Sequence, residues 1–276
     1  MTSAATSPTL NAAQLVYLAL QTGETPAANT TYRRLLARYR AEEAFRSTVQ
    51  EVCEGLQLRV IDVSAGGMVL TPASSGSRFA LRMPDIRGAN RDRSPEMRAS
   101  LVLAHVAVAA ALYPFAHQLE DDSYVPPPVT LDLCCDTLMV LARQLDSAVD
   151  PDVEFSADLT PGYRHLNSLQ RDLPHDAKRT STTTALGITQ AALTNMEAHG
   201  LVRLDRPSSD EAKAGWGATV RLRAQLRERA LERLYTLAQE SAQASHLAAA
   251  RSAEQAATAA QSTRPEESTP APDTGA

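Results

Sequence analysis

Apolar positions in the first fifty residues recur at steps of three and four, which is the signature of one-sided helices. Leu15, Leu18 and Ala19 predict a helix over Asn11–Gln21, ended at Gly23. Tyr32, Leu35, Leu36 and Tyr39 predict a second, capped by Thr30 or Thr31. Phe45, Val49, Val52 and Cys53 predict a third, over Ala41–Glu54, closed by Gly55. The period then changes. Leu58–Val63 is a β-rich run, Ser64–Gly67 a turn, and Met68–Leu70 the returning strand. Arg78–Met83 alternates like one further strand. Three helices followed by a hairpin describe a winged helix, here over residues 10–83 behind a flexible N-terminus at 1–9.

Residues 84–159 read as a helical middle. Ile86–Pro95 is polar and arginine-rich, hence an exposed loop, and Pro95–Gln118 is a helix apolar nearly all round, hence buried. Asp121–Pro128 is a stiff linker with three consecutive prolines. Thr130 caps a helix running to about Leu145. Its Leu131, Cys134, Leu138, Leu141 and Leu145 form a seam that can meet this chain or another.

A second winged helix is legible over 160–240. Gly162–Leu173 and Arg179–Ala185 are its first two helices, Gly187 the turn, and Thr189 the cap of a third over Gln190–His199. Leu201–Leu204 and Ala218–Leu222 are its wing strands, with the tip over Asp205–Gly217. The string Leu186-Gly187-Ile188-Thr189 followed by Glu197-x-x-Gly200-Leu201-Val202 is common in helix-turn-helix proteins. A helix from Ala224 continues into an alanine-rich stretch to about Gln261. Beyond Thr263 the chain has too little apolar content to fold. The fold class expected is mainly α with small β-hairpins: tandem winged-helix domains joined by a helical middle, then an alanine-rich helix and disordered tail over 241–276.

Composition narrows the function. Alanine and leucine supply most of the 43% apolar content and aromatics only 4%, which favours helix. The net charge is −5, so no overall basic excess draws the chain to nucleic acid. The predicted third helices add no cations. One carries Glu42, Glu43, Glu51 and Glu54 against Arg46, and the other carries Gln190, Asn195 and Glu197 without Arg or Lys. Cations gather instead at Arg33, Arg34, Arg38 and Arg40, at Arg91 and Arg93, and at Lys178 and Arg179. These are either solvated faces or sequence-blind contacts to a DNA backbone. Trp216, between two glycines at the predicted wing tip, either folds back or anchors a protein interface.

Catalytic patterns are missing from the sequence. The six histidines are scattered, and no phosphate-binding loop, nucleophile elbow or paired metal-ligand spacing occurs, so no catalytic residue, metal or cofactor is expected. Cys53, Cys134 and Cys135 read as buried thiols of a reducing cytosol. Met1–Pro8 has no signal-peptide pattern, and Leu101–Phe115 is short for a membrane span, so no membrane is expected.

Tyr32-Arg33-Arg34-Leu35-Leu36, then Phe45 through Gly55-Leu56 into Leu58–Leu70, and later Leu186–Leu204, carry a resemblance in order and length. The chain resembles the tandem winged-helix, kleisin-interacting (KITE) subunits of bacterial SMC complexes, of the MukE and MksE type, including the corresponding subunit of Wadjet plasmid-defence systems. That resemblance implies a homodimer that binds a kleisin and the SMC ATPase subunits. It also implies weak, sequence-independent contact with DNA through the complex, no hydrolysis by the subunit itself, and a cytoplasmic, nucleoid-associated location. The alternative is a winged-helix transcriptional regulator that binds an operator as a dimer; a third is an enzyme whose site carries no familiar motif. The tail generates a first prediction: low-dose protease removes the residues beyond about Thr263 while the remainder survives on a gel. A tail protected in the isolated protein contradicts it.

Overall fold

A computed structural model describes residues 7–74, 76–80, 94–147, 156–172, 184–205, 215–227, 238, 239, 242, 243, 245–247, 250 and 251. The structure is mainly helical, with two small antiparallel sheets of two strands each. The predicted tail and residues 1–6 of the N-terminus lie outside the described residues, as does the alanine-rich stretch beyond Arg251.

The first unit follows its pattern closely. It comprises α1 (Pro8–Leu20), α2 (Thr30–Ala41), α3 (Glu43–Gly55), β1 (Leu58–Ser64) and β2 (Gly67–Pro72). The cap of α2 is Asn29 rather than Thr30 or Thr31. Its side-chain oxygen accepts from the Tyr32 N–H at 3.0 Å, and both threonines are already inside the first turn. β1 and β2 pair from Leu58↔Pro72 to Ser64↔Gly67, with a bulge between Val60 and Asp62. One side chain ties helix to hairpin: the Met68 N–H donates to the Tyr32 hydroxyl at 2.8 Å. Gly67, at φ 130°, makes this approach possible, since a Cβ there would stand 2.7 Å from the same hydroxyl. The extra strand expected over Arg78–Met83 is not seen where the chain is described. Residues 77–80 are turns and bends, closed by the Ala80 N–H on the Ser77 carbonyl, and 81–83 lie outside the described residues.

The remainder is assembled around α4 (Pro95–Leu112). Ser94 caps it and Pro95 fills its first position, where a missing N–H costs nothing. It ends earlier than the predicted Gln118 because Pro114 cannot donate to the Ala110 carbonyl. A short α5 (His117–Glu120) follows. Then come α6 (Leu131–Ser147), α7 (Ser156–Ser168) and α8 (Ala185–Ala198), all three packed on α4. By length and apolar content α4 passes for a membrane span, but its surface is taken up by these neighbours.

The tightest crossing is between α4 and α7. A Cβ on Gly162 would lie 2.6 Å from the Ala99 Cβ and 2.7 Å from its carbonyl carbon. The Ser100 hydroxyl shares its hydrogen between the Glu96 carbonyl of its own helix at 2.8 Å and, across the crossing, the Gly162 carbonyl at 3.1 Å.

Several predicted boundaries in the second half are corrected. The helix predicted from Gly162 starts at Ser156 and runs through Pro161. Gly187 is not a turn. Thr184 accepts from its N–H at 3.1 Å, which starts α8 one turn early and leaves Gly187 buried inside it. Thr189 is therefore no cap, and its hydroxyl donates to the Ala185 carbonyl. The short helix predicted over Arg179–Ala185 falls largely outside the described residues. β3 (Val202–Asp205) pairs with β4 (Gly215–Ala218), and α9 (Val220–Arg227) takes over where the return strand was expected to continue. Val129 makes an isolated bridge to Trp216 through two backbone hydrogen bonds of 3.0 and 2.8 Å, which ties the segment before α6 to β4.

Three cores result. One lies wholly inside the first unit, around Leu15, Tyr32, Leu35, Phe45 and Val49. A second joins α4, α6, α7 and α8 with Ala238 and Ala242. A third joins the C-terminal end of α4 to Trp216, Met196 and Leu222. The α4–α7 crossing generates the next prediction. Gly162→Val forces the two backbones apart and should destabilise the protein by roughly 1–3 kcal/mol. Gly23→Ala, with nothing within 4 Å of the new methyl, should stay within about 0.5 kcal/mol. Urea midpoints of the two variants check the contrast.

Candidate nucleic-acid and partner surfaces

α2 is two-faced because its apolar residues fall on one helical stripe. Tyr32, Leu35, Leu36 and Tyr39 are buried, while Arg33, Arg34, Ala37 and Arg40 share the opposite, exposed face. The predicted basic group therefore exists, but its members differ. Arg38 lies at the edge, bound to the Glu42 carboxylate at 2.7 Å and stacked over the Phe45 ring at 4.4 Å. Among the described residues Arg33, Arg34 and Arg40 have no ion-pair partner. Arg91, Arg93, Lys178 and Arg179 lie outside the described residues.

The neighbouring α3 presents the opposite charge. Its single cation, Arg46, pairs with Glu43 at 2.8 Å and turns back to donate to the Tyr39 and Arg40 carbonyls at the end of α2. Glu51 and Glu54 stay on the exposed face. The first unit thus shows a row of cations on α2 beside an acidic α3.

On α8 the two polar residues expected to reach a base do not behave alike. Gln190 sits half-buried and bonds Thr194 at 3.3 Å. Asn195 is 1% exposed and is held inside by His105. The His105 Nδ1 lies 2.6 Å from the Leu101 carbonyl, which only accepts, so this nitrogen carries the proton. Nε2 is then the acceptor, 2.9 Å from the donating Asn195 Nδ2. Burial holds the His105 pKa below the ordinary imidazole value, opposed by the Leu101 bond and reinforced by the charge of His199.

The partner-interface candidates are interior. Trp216 is 8% exposed within β4, because that strand starts at Gly215 and the ring enters the third core. Leu138 and Leu141 are fully buried against α4, and Leu131 and Leu145 pack half-buried beside them. The seam meets this chain.

The arginines of α9 carry no motif that singles them out in the sequence. Arg223 donates to the Asp122 and Tyr124 carbonyls and lies 5.8 Å from the centre of the Tyr113 ring. Arg227 donates to the Leu119 and Glu120 carbonyls and pairs with the Asp122 carboxylate at 2.7 Å. Arg221 donates to the Ala19 carbonyl at 2.7 Å. The signal that could have found them is three arginines within seven residues, set against the acidic Glu120–Asp122 run.

No family model, curated protein or solved structure matches this chain.

Reactive chemistry is sparse among the described residues. Burial raises the thiol pKa of Cys53 and Cys135 to about 11 and of Cys134 to about 12, so all three stay protonated and poorly nucleophilic. No three His, Cys, Asp or Glu side chains converge as metal ligands among the described residues. An open cleft of about 470 Å³ between α6 and α7 is lined by Met139, Arg143, Asp146, Ser147 and Asn167.

The His105 arrangement fixes a pH dependence. Its folded pKa is depressed, so the unfolded chain binds the proton more tightly. The stabilising contribution is complete above about pH 6.5 and is lost as pH falls from there toward the folded value. Melting temperatures should decline between about pH 6.5 and 5, before carboxylates titrate. His105→Gln should flatten that decline, and an unchanged slope in the variant contradicts the assignment.

Proposed function

We propose that this chain is a non-catalytic accessory subunit of an SMC-type, condensin-like complex. It consists of two winged-helix units, binds a kleisin as a homodimer, and helps the complex to hold DNA by its backbone, in plasmid defence or chromosome organisation. The single observation that carries the DNA part is the row of guanidiniums without ion-pair partners among the described residues, at Arg33, Arg34 and Arg40, next to an acid-faced α3.

The physical argument is one of geometry and sign. An exposed arginine row on one helix face matches phosphates, which are spaced along a strand and identical in every sequence. Reading bases requires a helix that enters the major groove with cations flanking its hydrogen-bonding side chains. Here α3 would bring Glu51 and Glu54 to the phosphates, and the Asn195 amide of α8 is engaged inside the protein. Backbone contact of this kind is weak alone and becomes useful when partner subunits hold the duplex close. The order of elements, three helices and a hairpin followed later by α8 and a second hairpin, supports the winged-helix reading and the resemblance to kleisin-binding subunits.

The test uses the tagged chain recovered with its partners from its own cells. Replacing Arg33, Arg34 and Arg40 by glutamate should leave the melting curve and the recovered partners unchanged, because exposed cations add little to stability. DNA retention should fall. The slope of log affinity against log salt should flatten by about 2.7, at about 0.9 for each phosphate no longer neutralised. Two results overturn the proposal: recovery of no SMC or kleisin-type partner, or tight binding of one DNA sequence by the isolated protein that Gln190→Ala abolishes. The second would make the chain an operator-binding regulator.

A further inference from the structure

The first unit has a core of its own. Every residue in it comes from α1, α2, α3 and the first hairpin, and the other two cores draw only on residues from Met97 onward. What joins the two bodies is of another kind. The Gly66 turn of the hairpin rests on Val220, where a Cβ would stand 2.8 Å from the valine Cγ2. The turn at Gly200, φ 66°, rests on Thr22, with 3.0 Å from its Cβ position to the threonine Cβ. Next to Val220 in the chain stands Arg221. Its guanidinium donates to the Ala19 carbonyl at 2.7 Å, in the last turn of α1. Burial depresses the Arg221 pKa, and the neighbouring Tyr32 partly offsets that.

We propose that this junction is a hinge latched by Arg221, and that the first unit swings on it as a rigid body. A shared apolar core would weld the halves together. The junction consists of α9 lying against β1 and β2, the two glycine contacts and one cation on a helix end, so it joins the halves without a shared core, and interfaces between separately cored units allow relative motion. The cation has a specific seat. The last carbonyls of α1 have no partners within the helix and carry the negative end of its dipole, so a guanidinium fits there. Tyr32 links the latch to the first unit's interior, because its hydroxyl also accepts from Met68 in β2. Arg33 and Arg34 follow Tyr32 directly on α2, so the hinge angle sets where the exposed arginine row points. This inference stands on the junction alone and does not depend on the function proposed above.

Spin labels report the angle in the full-length protein. The three native cysteines are buried, so labels go selectively to cysteines introduced at the exposed positions Gln50 on α3 and Ser168 on α7. The unaltered junction should give one narrow distance distribution by pulsed electron resonance. Arg221→Gln, which loses the charge, should at least double its width while the melting curve persists, since neither core is touched. Gly66→Leu provides an independent wedge against Val220 and should move the mean distance with the fold intact. A distribution unchanged in Arg221→Gln, or as broad in the unaltered protein as in the variant, overturns the latch. Should Arg221→Gln fail to fold, the wedge decides: a shifted distance supports the hinge and an unshifted one removes it.

Discussion

The second half of the molecule depends on how closely another helix can approach α4. Twelve of its eighteen residues are buried, and the Ala99–Ser100 step meets Gly162 of α7 nearly backbone to backbone. Such an approach needs small residues on both sides, and Ser100 turns the closeness to use by bonding the Gly162 carbonyl. Once α7 is drawn in, α6 and α8 occupy the remaining sides, and their leucines face inward. The polar His105 is tolerated in this apolar setting because both ring nitrogens find partners, Leu101 within α4 and Asn195 on α8. One helix thus fixes the position of three others.

The first unit is organised differently, around a side chain rather than a helix. Tyr32 fills the core between α2 and the hairpin, and its hydroxyl reaches Met68 only because Gly67 has no Cβ. With that residue fixed, the rotation of α2 about its axis is fixed as well. Arg33, Arg34 and Arg40 must then face outward, whatever their use. Arg38 and Arg46 are drawn into pairs with Glu42 and Glu43 and into contact with the Phe45 and Tyr39 rings. The separation of a cationic α2 face from an acidic α3 face is therefore a consequence of packing, and any function inherits it.

Periodicity controls what is plainly legible in the sequence. The helix-helix-helix-hairpin order of the first unit, the buried middle helix and the α6 seam follow from apolar spacing alone. Sequence and structure part where a single residue has two uses. Gly187 suggests a turn, yet a buried glycine inside a helix also permits close packing, and the cap on Thr184 decides between them. Trp216 between two glycines suggests a wing tip, with the ring either folded back or exposed for a partner. A sheet edge with Pro128 and Val129 pressed against it equally demands glycine, since a Cβ on Gly215 would lie 2.8 Å from the Pro128 Cβ. The choice between a seam for another chain and one for α4 depends on which surface lies nearby, which spacing does not encode. The α9 arginines cluster visibly in the sequence, but what they bind is hidden there because the carbonyls they reach lie a hundred or more residues away.

Electrostatics then limits which face of the first unit can meet a nucleic acid. Laying α3 in a groove would bring carboxylates to within a few ångströms of phosphates. At an effective dielectric of about 20, two like charges at 4 Å repel by about 4 kcal/mol. An opposite charge at the same distance gains as much, so the sign of the balance rests on which side chains face the duplex. Arg46 cannot redress the balance, because it is committed to Glu43 and to the end of α2. Groove insertion by α3 is thus disfavoured, since Glu51 and Glu54 would face the duplex with no uncommitted cation on that helix, whereas an edge-on approach along α2 meets three cations and keeps both carboxylates in solvent. A unit with that distribution of charge can lie along a duplex without reading it. Under the function proposed above, a second surface is then required for it to remain there at physiological salt, where the Debye length is about 8 Å.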